Sequence, residues 1–180
     1  HLELSRDIAQ KFNLDFNAPD FLRVPEPLIQ KNFSRIMSLK DGNNKMSKSD
    51  PSDLSRINLT DSRDQIFSKI KKAKTDNDLL PSDDKNLNQR PEVENLLGIY
   101  SSLNNQSLNN SIKEFSGKNF SEFKAKLADL VVEKISPISE EINKLQKDTN
   151  YIDSILKSGG ERANSIASKK VQEIKRIIGF

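Results

Sequence analysis

The chain has 180 residues, of which 34% are hydrophobic and 31% charged, and its formal net charge is +3. This length allows one domain with a core or two small ones. There is no cysteine, and His1 is the one histidine. These counts exclude disulfides, thiolate or histidine metal clusters and a Ser-His-Asp triad, so no metal site is expected. No run approaches the roughly 20 apolar residues that cross a bilayer, and no secretory signal opens the chain. We therefore expect a cytoplasmic protein without a membrane partner. Because the sequence starts inside an amphipathic pattern without Met, we also expect a piece of a longer protein.

The first third of the sequence carries the only strand signals. Apolar residues at helical spacing over residues 4–12 predict a helix that ends near residue 13. Three of the seven prolines fall within residues 14–32 and predict irregular, extended chain. The apolar-rich run 33–39 predicts a strand followed by a turn, and residues 57–59 predict a second brief strand.

The rest of the sequence predicts helices. Thr60 or Asp61 is the expected cap of a helix whose apolar stripe is Ile66, Phe67, Ile70 and Ala73. The lysines of that helix are expected to form a solvated face, with contact to a tRNA backbone as the alternative (Lys69, Lys71, Lys72 and Lys74). Helices are predicted over about 93–103, 108–115, 123–145, 151–158 and 163–178. Pro137 should kink or split the third of these, and Gly159-Gly160 should end the fourth.

The segment Lys45-Met46-Ser47-Lys48-Ser49 follows a turn that contains Gly42. Lysine is a mobile point charge suited to phosphate, and serine adds a short donor beside it. A loop after a strand also lies where open α/β sheets bind ligands. In adenylate transfer a carboxylate attacks the α-phosphorus of ATP, and charge grows on the departing pyrophosphate. Positioned ammonium groups lower that barrier, and no general base is needed.

The order K-M-S-K-S is the signature loop of class I aminoacyl-tRNA synthetases. Five further blocks, together with this loop, resemble bacterial tryptophanyl-tRNA synthetases: residues 1–7, 35–39, 57–61 with the lysine-rich helix after it, 95–100 and 120–128. The fold expected is mainly α with a small α/β part. Residues 1–60 would be the end of a Rossmann-like catalytic domain with the KMSKS loop, and residues 61–180 a helical domain of the anticodon-binding type.

The resemblance implies ATP-dependent activation of L-tryptophan to the adenylate, release of pyrophosphate, and transfer to tRNA(Trp). It implies ATP with Mg²⁺ and a homodimer for the full-length protein. The residues expected to hold the pyrophosphate portion of ATP are Lys45, Ser47, Lys48 and Ser49. The backbones of Ile36 and Met46 match positions that lie against adenine. Candidates for contacts with tRNA phosphates are Arg162, Lys169, Lys170, Lys175 and Arg176.

Two alternatives stay open at this point. A stand-alone helical RNA-binding module fits the pI near 9.0, but such modules interleave aromatic with basic residues, and this chain has nine Phe, two Tyr and no Trp. The second alternative is a related synthetase that has the same loop but acts on another amino acid. The family's H-I-G-H-like segment and its indole-recognising residues are expected before His1. The 180 residues alone are therefore expected to be inactive.

Overall fold

The computed structural model describes residues 1–28 and 35–180. Within them the chain forms six α-helices and two short 3-10 helices, and the one pairing of extended chain is an isolated antiparallel bridge between Met37 and Lys45. The mainly α fold is thus confirmed. The helices are α1 (Leu2–Asp15), α2 (Arg63–Lys72), α3 (Pro91–Leu103), α4 (Leu108–Phe115), α5 (Phe120–Lys147) and α6 (Thr149–Ile178); the 3-10 helices are Asp53–Ser55 and Leu87–Gln89. No helix in this described part is long and apolar enough to cross a membrane.

The chain divides into two compact units. One comprises Gln30–Lys147, and the other combines His1–Ile29 with Asp148–Phe180. The expected boundary after residue 60 concerns domains of the resembled family rather than packing, and it stays a prediction.

The core of the first unit is built by one apolar face from each of α2, α3, α4 and α5. Tyr100, Phe115 and Phe123 meet there, with ring centroids 4.9 Å apart for Tyr100–Phe115 and 4.7 Å for Phe115–Phe123. Both pairs have the edge-to-face geometry that aromatic rings prefer. Ile66 and Ile70, spaced for one face of α2, are fully buried in the same core. The apolar stripes predicted for α2, α3, α4 and α5 therefore form this core.

The cap of helix α2 lies two residues after the first predicted one, Thr60. Ser62 is the cap: its hydroxyl accepts the Gln65 N–H at 3.3 Å, and the Gln65 side chain accepts the Ser62 N–H at 2.7 Å. This capping box satisfies two of the N–H groups that a helix start leaves unpaired. Thr60 and Asp61 were the wrong residues, because Asp61 is committed to a buried ion pair.

Helix α5 contains Pro137 and runs through it without splitting. The proline removes one N–H from the helix ladder, but α5 keeps packing on both sides of it. Val131 is buried before it, and the Ser139 hydroxyl donates to the Leu59 carbonyl after it. Tertiary contacts thus override the local helix-breaking tendency.

The second unit consists of α1, α6 and the chain after α1. Phe12 stacks on Phe21 with centroids 5.8 Å apart, and the Asn13 side chain exchanges two hydrogen bonds with Leu22. Helix α6 continues through Gly159-Gly160 to a left-handed cap at Gly179, where φ is 92°. The prediction that the glycine pair ends a helix was wrong, since each glycine costs only about 1 kcal/mol inside a long helix. The prediction for α1 was right to within two residues.

Candidate functional site

The lysine loop, defined as residues 45–49, presents polar side chains to solvent. Lys45, Ser47, Lys48 and Ser49 are all exposed, whereas Met46 is half-buried against the core. Among the residues that the structure describes, no acidic group forms an ion pair with either lysine. Two ammonium groups and two hydroxyls are therefore available to an anionic ligand.

A tight turn shapes the tip of this loop. The Ser47 hydroxyl accepts the Ser49 N–H at 3.2 Å, and the Ser47 carbonyl accepts the Asp50 N–H at 3.3 Å. The Asp50 side chain then accepts the Ser52 N–H at 2.7 Å. Short polar side chains are common in such turns because they bond the backbone two residues on. Lys48 lies inside the turn, and the Ser47 hydroxyl keeps its own proton for donation.

The upstream arm, residues 36–39, pairs with the start of the lysine loop. Met37 lies opposite Lys45, and two hydrogen bonds flank this pair: Ser38 N–H to the Asn44 carbonyl at 2.7 Å, and Met46 N–H to the Ile36 carbonyl at 3.0 Å. The pairing brings together Ile36 and Met46, the two residues expected near adenine. The run 33–39 was predicted as a strand; residues 33 and 34 lie outside the described residues, and the remainder forms only this bridge.

The turn between the upstream arm and the lysine loop, residues 40–44, requires glycine at position 42. A Cβ atom on Gly42 would lie 2.5 Å from both the Pro91 carbonyl carbon and the Glu92 nitrogen, which are backbone atoms at the start of α3. Asp41 accepts the Asn43 N–H at 3.0 Å, and this backbone hydrogen bond is the main reason that its pKa is lowered. The turn is thus pressed directly onto the first turn of α3.

The outer edge of the upstream arm is also fully paired. Leu39 N–H donates to the Ser55 carbonyl at 2.9 Å, and Lys74 N–H donates to the Leu39 carbonyl at 2.7 Å. At Met37, two residues before Leu39, the Asn95 side chain accepts the backbone N–H and donates to the backbone carbonyl. Because buried backbone groups need partners, these bonds fix the arm in place.

The downstream arm, residues 50–58, is held by charged side chains. Arg56 donates to the Asp50 carbonyl at 2.9 Å and lies 3.2 Å from Asp53. Lys69 of α2 then pairs with Asp53 at 2.8 Å and with Asp61 at 2.6 Å. The hydrogen bond from Lys69 is the largest cause of a lowered pKa for Asp53. The end of the lysine loop is thereby tied to the body of α2.

Two expectations fail at this arm. Lys69 was expected on a solvated face but is only 3% exposed, and its partner Asp61 is 5% exposed. Residues 57–59 are not a strand, because Asn58 enters a turn in which its N–H and side chain both bond the Asp61 carboxylate. A signal for Lys69 was present in the sequence: it lies between Ile66 and Ala73 at helical spacing, on the apolar stripe itself.

Comparison with known proteins decides the family. A model described as tRNA synthetases class I (W and Y) matches residues 1–138. The chain belongs to this synthetase family. It is 49% identical to the tryptophan–tRNA ligase of Mesorhizobium japonicum and 51% identical to that of Rhizobium meliloti, in each case over 100% of this chain and 56% of the relative. The chain thus spans little more than half the length of the relatives it matches.

Solved structures give the same family. The tryptophanyl-tRNA synthetase of Mycoplasma pneumoniae superimposes with a TM-score of 0.81 at 27% identity, covering 100% of this chain and 53% of that one. The enzyme of Campylobacter jejuni complexed with ADP and tryptophan gives 0.66 at 25% identity, covering 100% and 54%. The helical fold of this synthetase chain is therefore that of its family.

The residues predicted to contact tRNA lie on α6. Arg162, Lys169 and Arg176 recur every seven residues and so share one side of the helix, and Lys175 is exposed beside them. Lys170 differs, because its ammonium lies 3.6 Å from the Phe21 ring centroid and 3.5 Å from Glu173. A cation already placed over an aromatic ring is less available to a phosphate. The role of these five residues stays a prediction.

Three residues hold the arms in ways that the sequence did not indicate: Asn95 and Arg56 were not expected near the site, and Lys69 was expected on a solvated face or, as the alternative, against a tRNA backbone. Asn95 bonds the backbone of Met37, Lys69 pairs with Asp53, and Arg56 donates to the Asp50 carbonyl. Asn95 does fall inside a block that resembles the family, but nothing in that block indicates which backbone it holds.

Proposed function

We propose that this sequence belongs to a tryptophan–tRNA ligase. That enzyme activates L-tryptophan with ATP to the adenylate, releases pyrophosphate, and transfers the amino acid to tRNA(Trp). The observation that carries the proposal is an exposed lysine loop, whose start pairs with the upstream arm, in a chain of the class I synthetase family. The names of its relatives support the substrates, as do the ADP and tryptophan bound to the Campylobacter jejuni enzyme. These observations favour a synthetase over a stand-alone RNA-binding module.

The chemistry proposed follows from the exposed groups. A carboxylate oxygen of tryptophan attacks the α-phosphorus, the bond to the oxygen bridging the α- and β-phosphates breaks, and pyrophosphate leaves with the negative charge. The ammonium groups of Lys45 and Lys48 and the hydroxyls of Ser47 and Ser49 stabilise that charge as it develops. The backbones of Ile36 and Met46, joined at 3.0 Å, would lie against adenine.

The remaining parts of the proposal come from the resemblance. ATP would be used with Mg²⁺, which binds chiefly through phosphate oxygens and water and needs no protein cage. Contacts to tRNA(Trp) are assigned to Arg162, Lys169, Lys170, Lys175 and Arg176, with residues 61–180 as the anticodon-binding part. A cytoplasmic homodimer is proposed for the full-length protein.

Pyrophosphate exchange in a full-length protein that carries this sequence tests the proposal. We expect exchange of pyrophosphate into ATP that depends on tryptophan, and charging of tRNA(Trp), with tyrosine as the matched control substrate. Tyrosine-dependent exchange instead would contradict the substrate. Exchange with neither amino acid would contradict the function. The 180 residues alone should show no exchange, because the proposed site is incomplete in them.

A further inference from the structure

Asn95 is a buried amide in the middle of α3 with an unusual pair of partners. It is 2% exposed, and it lies 58 positions from the residue it contacts. Its Oδ1 accepts the Met37 N–H at 2.9 Å, and its Nδ2 donates to the Met37 carbonyl at 2.8 Å. Only this orientation of the amide satisfies both groups, since the reverse places donor against donor and acceptor against acceptor.

The position of Met37 in the ladder explains these bonds. The hydrogen bonds of the bridge come from its neighbours, Ser38 and Ile36, so the Met37–Lys45 pair is a non-hydrogen-bonded pair. The N–H and carbonyl of Met37 therefore point away from Lys45, toward α3. Asn95 bonds both groups, as a residue of a neighbouring strand would.

We propose that Asn95 is a positioning residue for the lysine loop: through the backbone of Met37 it fixes the register and place of Lys45 and Met46. The inference rests on the proposed function, since it assigns Asn95 a part in ATP activation. Asn95 itself touches no substrate. It acts through one arm, and the loop lysines act on the phosphate.

Loss of the Asn95 amide leaves two Met37 backbone groups without their partners and lets the upstream arm shift. A misplacement of about 1 Å at a reacting group can lower a rate on the order of 10²-fold. The lysines are proposed to act mainly on charge that develops during reaction. The effect should therefore fall on kcat, with little change in KM for tryptophan.

The decisive experiment compares Asn95→Ala with Ser101→Ala in the full-length protein. Ser101 is a matched control: it lies on α3 and is buried, and its hydroxyl bonds the Leu97 carbonyl at 2.7 Å and the Ser111 hydroxyl at 2.8 Å, with no hydrogen bond to either arm. We expect kcat for tryptophan-dependent exchange to fall about 10- to 100-fold in Asn95→Ala and less than about 3-fold in Ser101→Ala. Equal kcat values for the two variants would overturn the inference.

Two further measurements keep the test decisive. Amide hydrogen exchange at Ser38 and Met46 should quicken on the order of tenfold in Asn95→Ala and stay unchanged in Ser101→Ala. If Asn95→Ala does not fold, Asn95→Asp replaces it: one carboxylate oxygen still accepts the Met37 N–H, while the other faces the Met37 carbonyl, so that repulsion takes the place of the lost hydrogen bond. A several-fold fall in kcat is expected there, and a wild-type kcat overturns the inference.

The outcomes separate the two proposals. A wild-type protein without tryptophan-dependent exchange contradicts the proposed function. An active wild type whose Asn95 variants keep the wild-type kcat contradicts only the positioning role.

Discussion

The lysine loop and the frame that holds it differ in exposure and in pairing. The frame consists of the upstream arm, the downstream arm, and the two side chains that hold them, Asn95 and Lys69. In the loop, the side chains of Lys45, Lys48 and Ser49 are exposed, and no ion pair within the described residues engages the lysines. In the frame, Asn95 and Lys69 are buried, and each has its polar groups paired. Side chains that bind an anionic ligand remain solvated until the ligand binds, whereas the structure that positions them has to be ordered in advance. Substitutions of the exposed loop side chains should therefore change the rate without changing stability, whereas substitutions in the frame should also change stability.

Lys48→Ala gives the largest expected effect and tests the tip. We expect tryptophan-dependent pyrophosphate exchange to fall about 10²–10³-fold, because one charge partner of the departing pyrophosphate is lost. The unfolding midpoint should hardly change, since the side chain is exposed. Met46→Ala is the comparison variant. It should lower the exchange rate less than Lys48→Ala does, because the methionine side chain carries no charge that could act on phosphate. Near-normal exchange in Lys48→Ala, or a larger loss in Met46→Ala, would reject the assigned role.

Lys69→Met tests the downstream frame. The substitution leaves the Asp61 carboxylate, 5% exposed, without its cation. Removal of one partner from a buried pair costs about 3 kcal/mol or more in the free energy of unfolding. Chemical denaturation followed by circular dichroism measures this, with Lys72→Met, an exposed lysine of the same helix, expected to cost less than about 1 kcal/mol. Equal losses for the two variants would show that the pair adds nothing to the frame.

Gly42→Ala tests the contact between the turn and α3. The added Cβ would meet the backbone of Pro91 and Glu92 at 2.5 Å, so main chain must move, and we expect a loss of about 2 kcal/mol. Gly159→Ala is the matched control. Nothing lies within 4 Å of its new Cβ, and alanine should stabilise α6 by about 0.5–1 kcal/mol. The two substitutions should therefore shift the unfolding midpoint in opposite directions, and a shared direction would contradict the close approach at Gly42.

Asp76→Asn gives the smallest expected effect and concerns a pair outside the frame. Arg90 holds the Asp76 carboxylate through two hydrogen bonds of 2.7 and 2.6 Å, which is the main cause of the lowered Asp76 pKa. A lowered folded pKa stabilises the protein above the unfolded value of about 3.9, and this contribution disappears as pH falls through the folded value. Wild type and variant should differ by about 1 kcal/mol at pH 7 and converge below pH 4. A difference that stays constant with pH would exclude the ion pair as its source.

The sequence predicted the helices that bury their own apolar stripe and missed what long-range contacts decide. Val93, Leu96 and Leu97 of α3 are buried as their spacing indicates. The prediction that Gly159-Gly160 ends a helix was wrong, because glycine ends a helix reliably only where it adopts a left-handed conformation. In α6 the left-handed residue is Gly179. The sequence allowed Pro137 to split α5 into two helices, but the helix is continuous, and the contact of Ser139 with Leu59 holds the part after the proline.

The same distinction holds for the site. The five letters of the lysine loop predict which groups would act on phosphate, because the chemistry of ammonium and hydroxyl groups lies in the residue types themselves. The frame could not be predicted, because Asn95 meets Met37 across 58 positions, and a single sequence contains no record of that contact. Lys69 could be predicted in part. Its position on the apolar stripe indicates burial, but nothing in the sequence indicates that Asp53 and Asp61 are its partners.

The bridge between Met37 and Lys45 restricts insertions and deletions in the turn that joins them. Side chains alternate between two sides along paired chain, so a change of one residue in the turn reverses the direction of every side chain after it. Lys45 would then exchange sides with Met46, and a thioether would occupy the place of an ammonium. Homologues and designed variants should therefore vary the composition of this turn freely, apart from Gly42, while conserving its length.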